Sequence, residues 1–354
     1  MNIMRDLLNE YEALLSSGEP VGRAMVTSVW GSAPRQQGAS LLATPSGKLA
    51  GSVSGGCVES AAAQEIAAAI AEGKPRQVTF GVSNARAWEV GLACGGTIKL
   101  LVQPDVPSVV LGAARGEGGV VVATLLDAAG IDHGKSPIAE IRANGMVEHT
   151  GWPAWLVTAV APAALDGLRR EASSTLEVSA PEGQAVSVFL ESYPRRPTLL
   201  IFGGVHIAMA MVPQARMLGF RTVVVDGRAA FLTRERFPEA DELVLAWPED
   251  AIDRVGIDDS TYVCILTHDP KFDEPATDRA LNSPARYIGA IGAKKTAQAR
   301  RERLENAGFT ADQIARVRGP IGLDLGGRAP AEIALSILAE MTAVRYGKDD
   351  KMTR

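Results

Sequence analysis

The stretch that decides the fold is Thr198-Leu199-Leu200-Ile201-Phe202-Gly203-Gly204-Val205-His206-Ile207-Ala208. A short apolar run closed by two glycines and followed by a helix-period segment reads as a buried strand turning directly into a helix. A second apolar run, 222–225, ends in Asp226, which follows Gly203 by 23 residues. A strand, a glycine turn, a helix, a second strand and an acidic residue make the layout of a dinucleotide fingerprint. The fit is incomplete. Gly-x-Gly-x-x-Gly/Ala asks for glycine at 205, and the side chain of Val205 would crowd a pyrophosphate drawn against the backbone. The pattern therefore predicts a Rossmann-like fold and argues against ordinary tight NAD binding.

Downstream, strands at 242–245, 262–267 and 287–288 continue the alternation, with helices between most of them and after the last. The final helix, 331–346, sets Ile333, Ile337, Leu338 and Met341 on one face. Residues 198–354 thus read as a doubly wound parallel sheet. Upstream, the polar, proline-rich segment 191–197 reads as a linker. Residues 1–190 read as a mixed α/β domain. It opens with an amphipathic helix carrying Leu7, Leu8, Tyr11, Leu14 and Leu15. Strands follow at 23–30, 39–44 and 49–53, then an Ala-rich helix to about Glu72 and a strand at 97–102. The stretch 119–151 faintly echoes 22–52 at an offset of about 97 residues, with Ser46-Gly47 answered by Asn144-Gly145. The echo admits a duplicated subdomain, 1–105 and 106–190. It carries no Gly-Gly-Cys run, so the chemistry is placed in the first copy. The expected fold class is α/β, with a C-terminal Rossmann-like sheet and an N-terminal mixed α/β domain.

Composition narrows the function. Of 354 residues, 36 are basic and 41 acidic, so the net charge is −5 and the basic excess of a nucleic-acid binder is missing. Aromatic residues make up 5%, too few for a surface built on base stacking. No window approaches the 18 or so apolar residues that a membrane span needs, and the first fifteen residues lack the block layout of a signal peptide. Three cysteines, an odd number, do not make a secreted disulfide framework. The expectation is a soluble, reduced, cytoplasmic protein with neither nucleic acid nor membrane as partner.

The candidate ligand-binding residues cluster where strands end, because open α/β sheets bind ligands at their carboxyl edge. Gly203, Gly204 and His206 follow the first strand and Asp226 the second. His268 and Asp269, with Lys271 and Asp273 close behind, follow the strand at 262–267. Gly289, Gly292, Lys294 and Lys295 offer backbone N–H groups and positive charge to an anion. The glycine-dense loop 319–327 holds Asp324, read as buried. In the first domain Gly55 and Gly56 precede Cys57 at a helix start, where N–H groups favour a thiolate. Cys94, before Gly95-Gly96, has a similar setting. Each has a plainer reading: tight turns for the glycines, a capping or packing role for His206, a solvated loop for 268–273, packing for the thiols. Cys264, inside a strand, reads as core.

Two segments of the first domain resemble the XdhC/CoxI family, the xanthine dehydrogenase accessory proteins. They are Gly31-Ser32-Ala33-Pro34-Arg35 with Gly38, and Gly51-Ser52-Val53-Ser54-Gly55-Gly56-Cys57-Val58-Glu59. The second domain resembles that family's Rossmann-like domain. It does so at Arg234-Glu235-Arg236-Phe237-Pro238 with Ala240-Asp241-Glu242, at 266–273, at 283–292, at 319–326 and at Pro330-Ala331-Glu332-Ile333-Ala334. Residues from about 105 to 190 carry no such signature. The resemblance implies a cofactor-insertion chaperone more than a turnover enzyme. It would bind the molybdenum cofactor (molybdopterin, as a mononucleotide or dinucleotide form), support its sulfuration and deliver it to a molybdenum hydroxylase of the xanthine or CO dehydrogenase type. A cysteine desulfurase, the hydroxylase apoenzyme and a second copy of the chain are then the implied partners. Gly292 with Lys294 or Lys295 suits the cofactor's phosphate, and Asp226 or Asp324 the pterin edge. Cys57 or Cys94 suits the soft metal as a molybdenum-contacting thiolate. The alternative is an NAD(P)-dependent oxidoreductase using Asp226 for the ribose and His268 or His206 as acid/base. A zinc or iron–sulfur protein is disfavoured by three well-separated cysteines.

Overall fold

The structure, a computed structural model, describes residues 4–31, 35–81, 96–127, 137–149, 151–181 and 183–349. It divides into two compact units, residues 1–195 and 196–354.

In the first unit a 3-10 turn at Met4–Leu7 leads into α1 (Leu8–Leu15). Strands β1 (Gly22–Trp30), β2 (Ser40–Ala43) and β3 (Leu49–Gly51) follow, then α2 (Glu59–Glu72), β4 (Arg76–Phe80) and β5 (Thr97–Gln103). After α3 (Ser108–Arg115) come β6 (Val120–Asp127), β7 (Ile138–Arg142), β8 (Val147–His149), α4 (Ala154–Arg170), β9 (Ser174–Ser179) and β10 (Ala185–Tyr193). The strands form two antiparallel sheets of the same order, β3-β2-β1-β5-β4 and β8-β7-β6-β10-β9, each with its helix between the third and fourth strands. Both hairpin turns, at Gly47 and Gly145, take left-handed backbone, with φ +87° and +83°. Period-2 alternation sends Ala24, Val26, Leu100 and Val102 against α2, whose alanines favour helix and pack closely. In the second sheet Val121, Ala123, Val188 and Leu190 face α4. The other faces of the sheets meet: Met25 and Leu101 pack on Phe189, and Leu42 shares a core with Val120, Val122 and Tyr193.

An ion pair is buried between those two faces. Arg23 of β1 and Glu191 of β10 are both about fully buried, and two guanidinium nitrogens donate to the carboxylate. Arg23 also donates to Ser40 Oγ at 2.8 and 3.1 Å, and the Tyr193 hydroxyl donates to Glu191 at 2.6 Å. The segment 191–197, expected as a linker, therefore starts inside the sheet. Residues 191–193 complete β10, and only 194–197 lack regular structure. The reason is that Glu191 reads as polar but is neutralised in place.

The second unit contains β11 (Thr198–Phe202), α5 (His206–Met217), β12 (Arg221–Asp226), β13 (Glu242–Leu245), α6 (Pro248–Val255) and β14 (Thr261–Ile265). It continues with α7 (Pro270–Leu281), β15 (Tyr287–Ala290), α8 (Lys294–Asn306), α9 (Ala311–Ala315), β16 (Val317–Arg318) and α10 (Pro330–Arg345). All six strands are parallel, in the order β13-β12-β11-β14-β15-β16. That is the Rossmann order, as the sequence pattern predicts, with the direction of winding reversing between β11 and β14. Leu199 and Ile201 pack under α5 and α10, and Leu200 and Phe202 under α6 and α7. Cys264 is core: burial pushes its thiol up, and its Sγ lies 3.9 Å from Met341 Sδ. Among the described residues no helix is long and apolar enough to cross a membrane.

Candidate functional site

In the first unit the Gly-Gly-Cys loop is organised by a residue that follows it. The Glu59 carboxylate, at the start of α2, accepts hydrogen bonds from the N–H groups of Val53, Ser54, Gly55, Gly56 and Val58 at 2.9–3.2 Å. It also accepts from the hydroxyls of Ser52 and Ser54 at 2.7 and 2.6 Å. This is an anion nest at a helix N-terminus, filled by the chain's own carboxylate. Burial alone would raise Glu59, but the Ser54 and Ser52 hydroxyls and the Ser54 N–H outweigh it and set its pKa at about 2. Gly55 and Gly56 supply the left-handed backbone that the wrap requires, with φ +81° and +118°. Cys57 donates its N–H to Ser54 Oγ at 3.0 Å, and its half-buried side chain leans on the α2 core.

A pH prediction follows. Glu59 is held below its usual value of 4.5, so its contribution to stability is complete above 4.5 and is lost as the pH falls through about 2. The stability gap between the wild type and Glu59→Gln, measured by urea unfolding at stepped pH, should therefore narrow on acidification below 4.5. A gap independent of pH would show that the nest does not hold a charged carboxylate.

In the second unit the carboxyl edge of the sheet brings the candidate residues together. Gly203 takes φ +111°, and a Cβ there would stand 2.5 Å from Thr267 Cγ2, so the turn after β11 and the loop after β14 touch. The Thr267 hydroxyl donates to Asp273. Asp273, raised above the ordinary aspartate value by burial, lines a cavity of about 410 Å³ between α7 and α8 with His268, Thr296, Arg300 and Arg303. His206 opens α5 and is exposed. Asp226 is spent. It accepts from Gly204 N–H at 2.8 Å and from the Arg228 guanidinium through both oxygens at 2.9 Å, in addition to the Arg228 N–H. Burial would raise its carboxyl, but Arg228 and these N–H groups hold it below the ordinary value. Arg228 lies 4.0 Å over the Phe231 ring, and the Phe231 carbonyl oxygen would meet a Cβ on Gly204 at 2.4 Å. Arg236 closes the far side, donating to Gly204 O at 2.8 Å. The ribose-reading position and the glycine turn are thus covered by the chain itself.

Two family models match. One, described as the XdhC Rossmann domain, covers residues 199–341, and the other, described as the XdhC and CoxI family, covers residues 14–81. This chain belongs to the XdhC and CoxI family. A Bacillus subtilis (strain 168) relative, named as a probable xanthine dehydrogenase subunit, is 26% identical over 94% of this chain and 96% of its own length. An Escherichia coli K12 relative, the molybdenum cofactor insertion chaperone PaoD, is 24% identical over 98% of this chain and 90% of its own. A third, the uncharacterized protein YqeB of the same strain, is 31% identical over 46% of this chain, which spans 30% of that protein's length. A crystal structure described as a xanthine dehydrogenase from Bacillus halodurans matches with a TM-score of 0.73 at 24% identity, over 98% of this chain and 96% of that one. That likeness speaks for the fold.

Within this XdhC/CoxI chain the expected site residues separate. Gly203, Gly204, His268, Asp269 and Gly292 share the sheet edge. Gly289 sits inside β15, where a Cβ would meet Ile321 at 2.6 Å, so it makes room in the core. Lys294 and Lys295 are exposed at the start of α8. Asp324, expected to be buried, is exposed. The acidic side chain buried beneath that loop is Glu340 of α10, which accepts from Gly322 N–H at 3.0 Å and from the Tyr287 hydroxyl at 2.6 Å. Cys94 lies outside the described residues. Among the described residues no three His, Cys, Asp or Glu side chains gather as a metal site. Glu59, Arg228, Phe231 and Arg300 were not singled out from sequence. The signal for Glu59 was its place two residues after Cys57, at the first position of the helix.

Proposed function

We propose that this chain binds the molybdenum cofactor as cargo, supports its sulfuration and delivers it to a molybdenum hydroxylase of the xanthine or CO dehydrogenase type. The observation that carries this reading is the match over 90% of a cofactor insertion chaperone's length. The geometry removes support from the competing one. A nicotinamide dinucleotide would need Asp226 for its ribose, and that carboxylate is engaged by Arg228 and Gly204.

The cargo is a pterin carrying a dithiolene-bound metal and a phosphate. His268, Asp273, Thr296 and Arg300 present donors and acceptors in the cavity between α7 and α8, and these suit a pterin edge. Cys57, on the loop set by Glu59, suits a soft metal or its sulfur, and Cys94 is the other candidate. A cysteine desulfurase as sulfur donor, the apoenzyme as recipient and a homodimer belong to the same reading.

The test is activation of an apo-hydroxylase by the cofactor with and without this chain. The wild type should raise the rate and extent of activation, and Cys57→Ala should lower them while leaving the unfolding free energy within about 1 kcal/mol, as expected of a half-buried small side chain. Activation by Cys57→Ala equal to the wild type removes Cys57 from the mechanism, and no effect of the wild type overturns the reading.

A further inference from the structure

Helix α8 opens with two lysines and carries Arg300, Arg301 and Arg303. Arg303 is neutralised by Asp278 and Glu274. Lys294 and Arg301 have no ion-pair partner among the described residues. They line a second cavity, of about 250 Å³, on the side of α8 that faces β16, together with Gln298, Arg300, Gly319 and Pro320. No carboxylate lines it among the described residues.

At its inner end stands an unsatisfied donor. Arg300 donates one guanidinium nitrogen, Nη2, to Ile291 O at 3.0 Å, but its Nη1 is buried and has no hydrogen-bond partner. Gly319, in the wall of the same cavity, comes so close that a Cβ there would lie 3.3 Å from Nη1. The nearby carboxylate, Asp273, lines the other cavity and is bonded to Thr267. A buried guanidinium N–H is costly to leave unpaired, and an anion is its strongest partner.

We infer that this cavity is a phosphate subsite. Arg300 Nη1 donates at its inner end, Lys294 and Arg301 supply charge at its mouth, and the ligand class is a phosphate or diphosphate monoester. That the phosphate belongs to the molybdenum cofactor rests on the proposed function; the subsite itself does not. It places the phosphate along α8 between Arg300 and Gly319; of the Gly292–Lys295 turn favoured by the sequence, Lys294 lines the cavity and Gly292 and Lys295 do not.

The test is calorimetric titration of the full chain with pyrophosphate at low salt. The variants are Lys294→Ala/Arg301→Ala, whose exposed side chains can be removed without disturbing the core, and Arg300→Met. A control, Arg169→Ala/Arg170→Ala, removes two exposed charges elsewhere, on α4. Saturable binding should weaken at least tenfold in both α8 variants and stay within about twofold in the control. No saturable binding by the wild type, or an equal loss in the control, overturns the subsite. Cofactor capture is measured in parallel. Capture by the wild type that the double variant fully retains, with pyrophosphate binding retained as well, refutes the subsite and leaves the function. No capture by the wild type, with pyrophosphate binding lost in the variant, refutes the function and leaves the subsite.

Discussion

Replacing Glu191 by alanine should destabilise the first unit by about 3–5 kcal/mol, the usual cost of leaving a buried charge without its partner. Arg23 is about fully buried and would keep Ser40, but its Nη1 and the Tyr193 hydroxyl would lose their acceptor. The desolvation that the pair offsets would then stand uncompensated. Replacing both residues, Arg23→Met with Glu191→Leu, should recover part of the loss, because the two apolar side chains need no partner while the buried Tyr193 hydroxyl still lacks its acceptor. Urea unfolding of the single variants Arg23→Met and Glu191→Leu beside the double variant closes the cycle, and Glu191→Ala is measured with them. A Glu191→Ala loss below about 1 kcal/mol would mean that water reaches the pair, which is the behaviour of exposed ion pairs.

Gly203→Ala carries the second large effect. The backbone there has φ +111°, and the new Cβ would sit 2.5 Å from Thr267 Cγ2. The conformational cost is about 1–2 kcal/mol, and forcing the Thr267 loop outward adds about 1–3 kcal/mol. Gly219→Ala separates the two terms, because its φ is also positive, +84°, with nothing within 4 Å of the added atom. Thermal unfolding should place Gly219→Ala below the wild type by the backbone cost alone and Gly203→Ala lower still. Equal losses would mean that strain in the backbone, and not the contact between the two loops, fixes this glycine. The contact matters for the site, since Thr267 holds Asp273.

The Rossmann half was legible because short apolar strands, glycine turns and amphipathic helices are local patterns. Phe202-Gly203-Gly204 and Asp226 fall where the fingerprint puts them. What those residues do was not legible, because it depends on who reaches them. Arg228 follows Asp226 by two residues, yet nothing in the sequence says that its guanidinium folds back and takes the carboxylate. Glu59 closes the Gly-Gly-Cys motif, but its role depends on the loop wrapping around its carboxylate, which no local pattern shows. Arg23 and Glu191 are 168 residues apart, and no period connects them. Asp324 reads as buried because a glycine-dense loop beside an apolar helix looks enclosed, whereas it is exposed and Glu340 fills the buried acidic position. The middle of the chain, without a motif, still repeats the strand order of the first sheet, since topology survives on apolar alternation alone.

The most direct measurement is anaerobic capture of the cofactor. The purified chain is incubated with molybdenum cofactor under reducing conditions, free ligand is removed by gel filtration, and bound molybdenum and pterin are quantified beside calorimetric titrations with NAD and NADP. Molybdenum and pterin should bind near one per chain, with negligible heat from either nicotinamide. Tight NAD or NADP binding without pterin would contradict the proposed function and return Asp226 to the ribose.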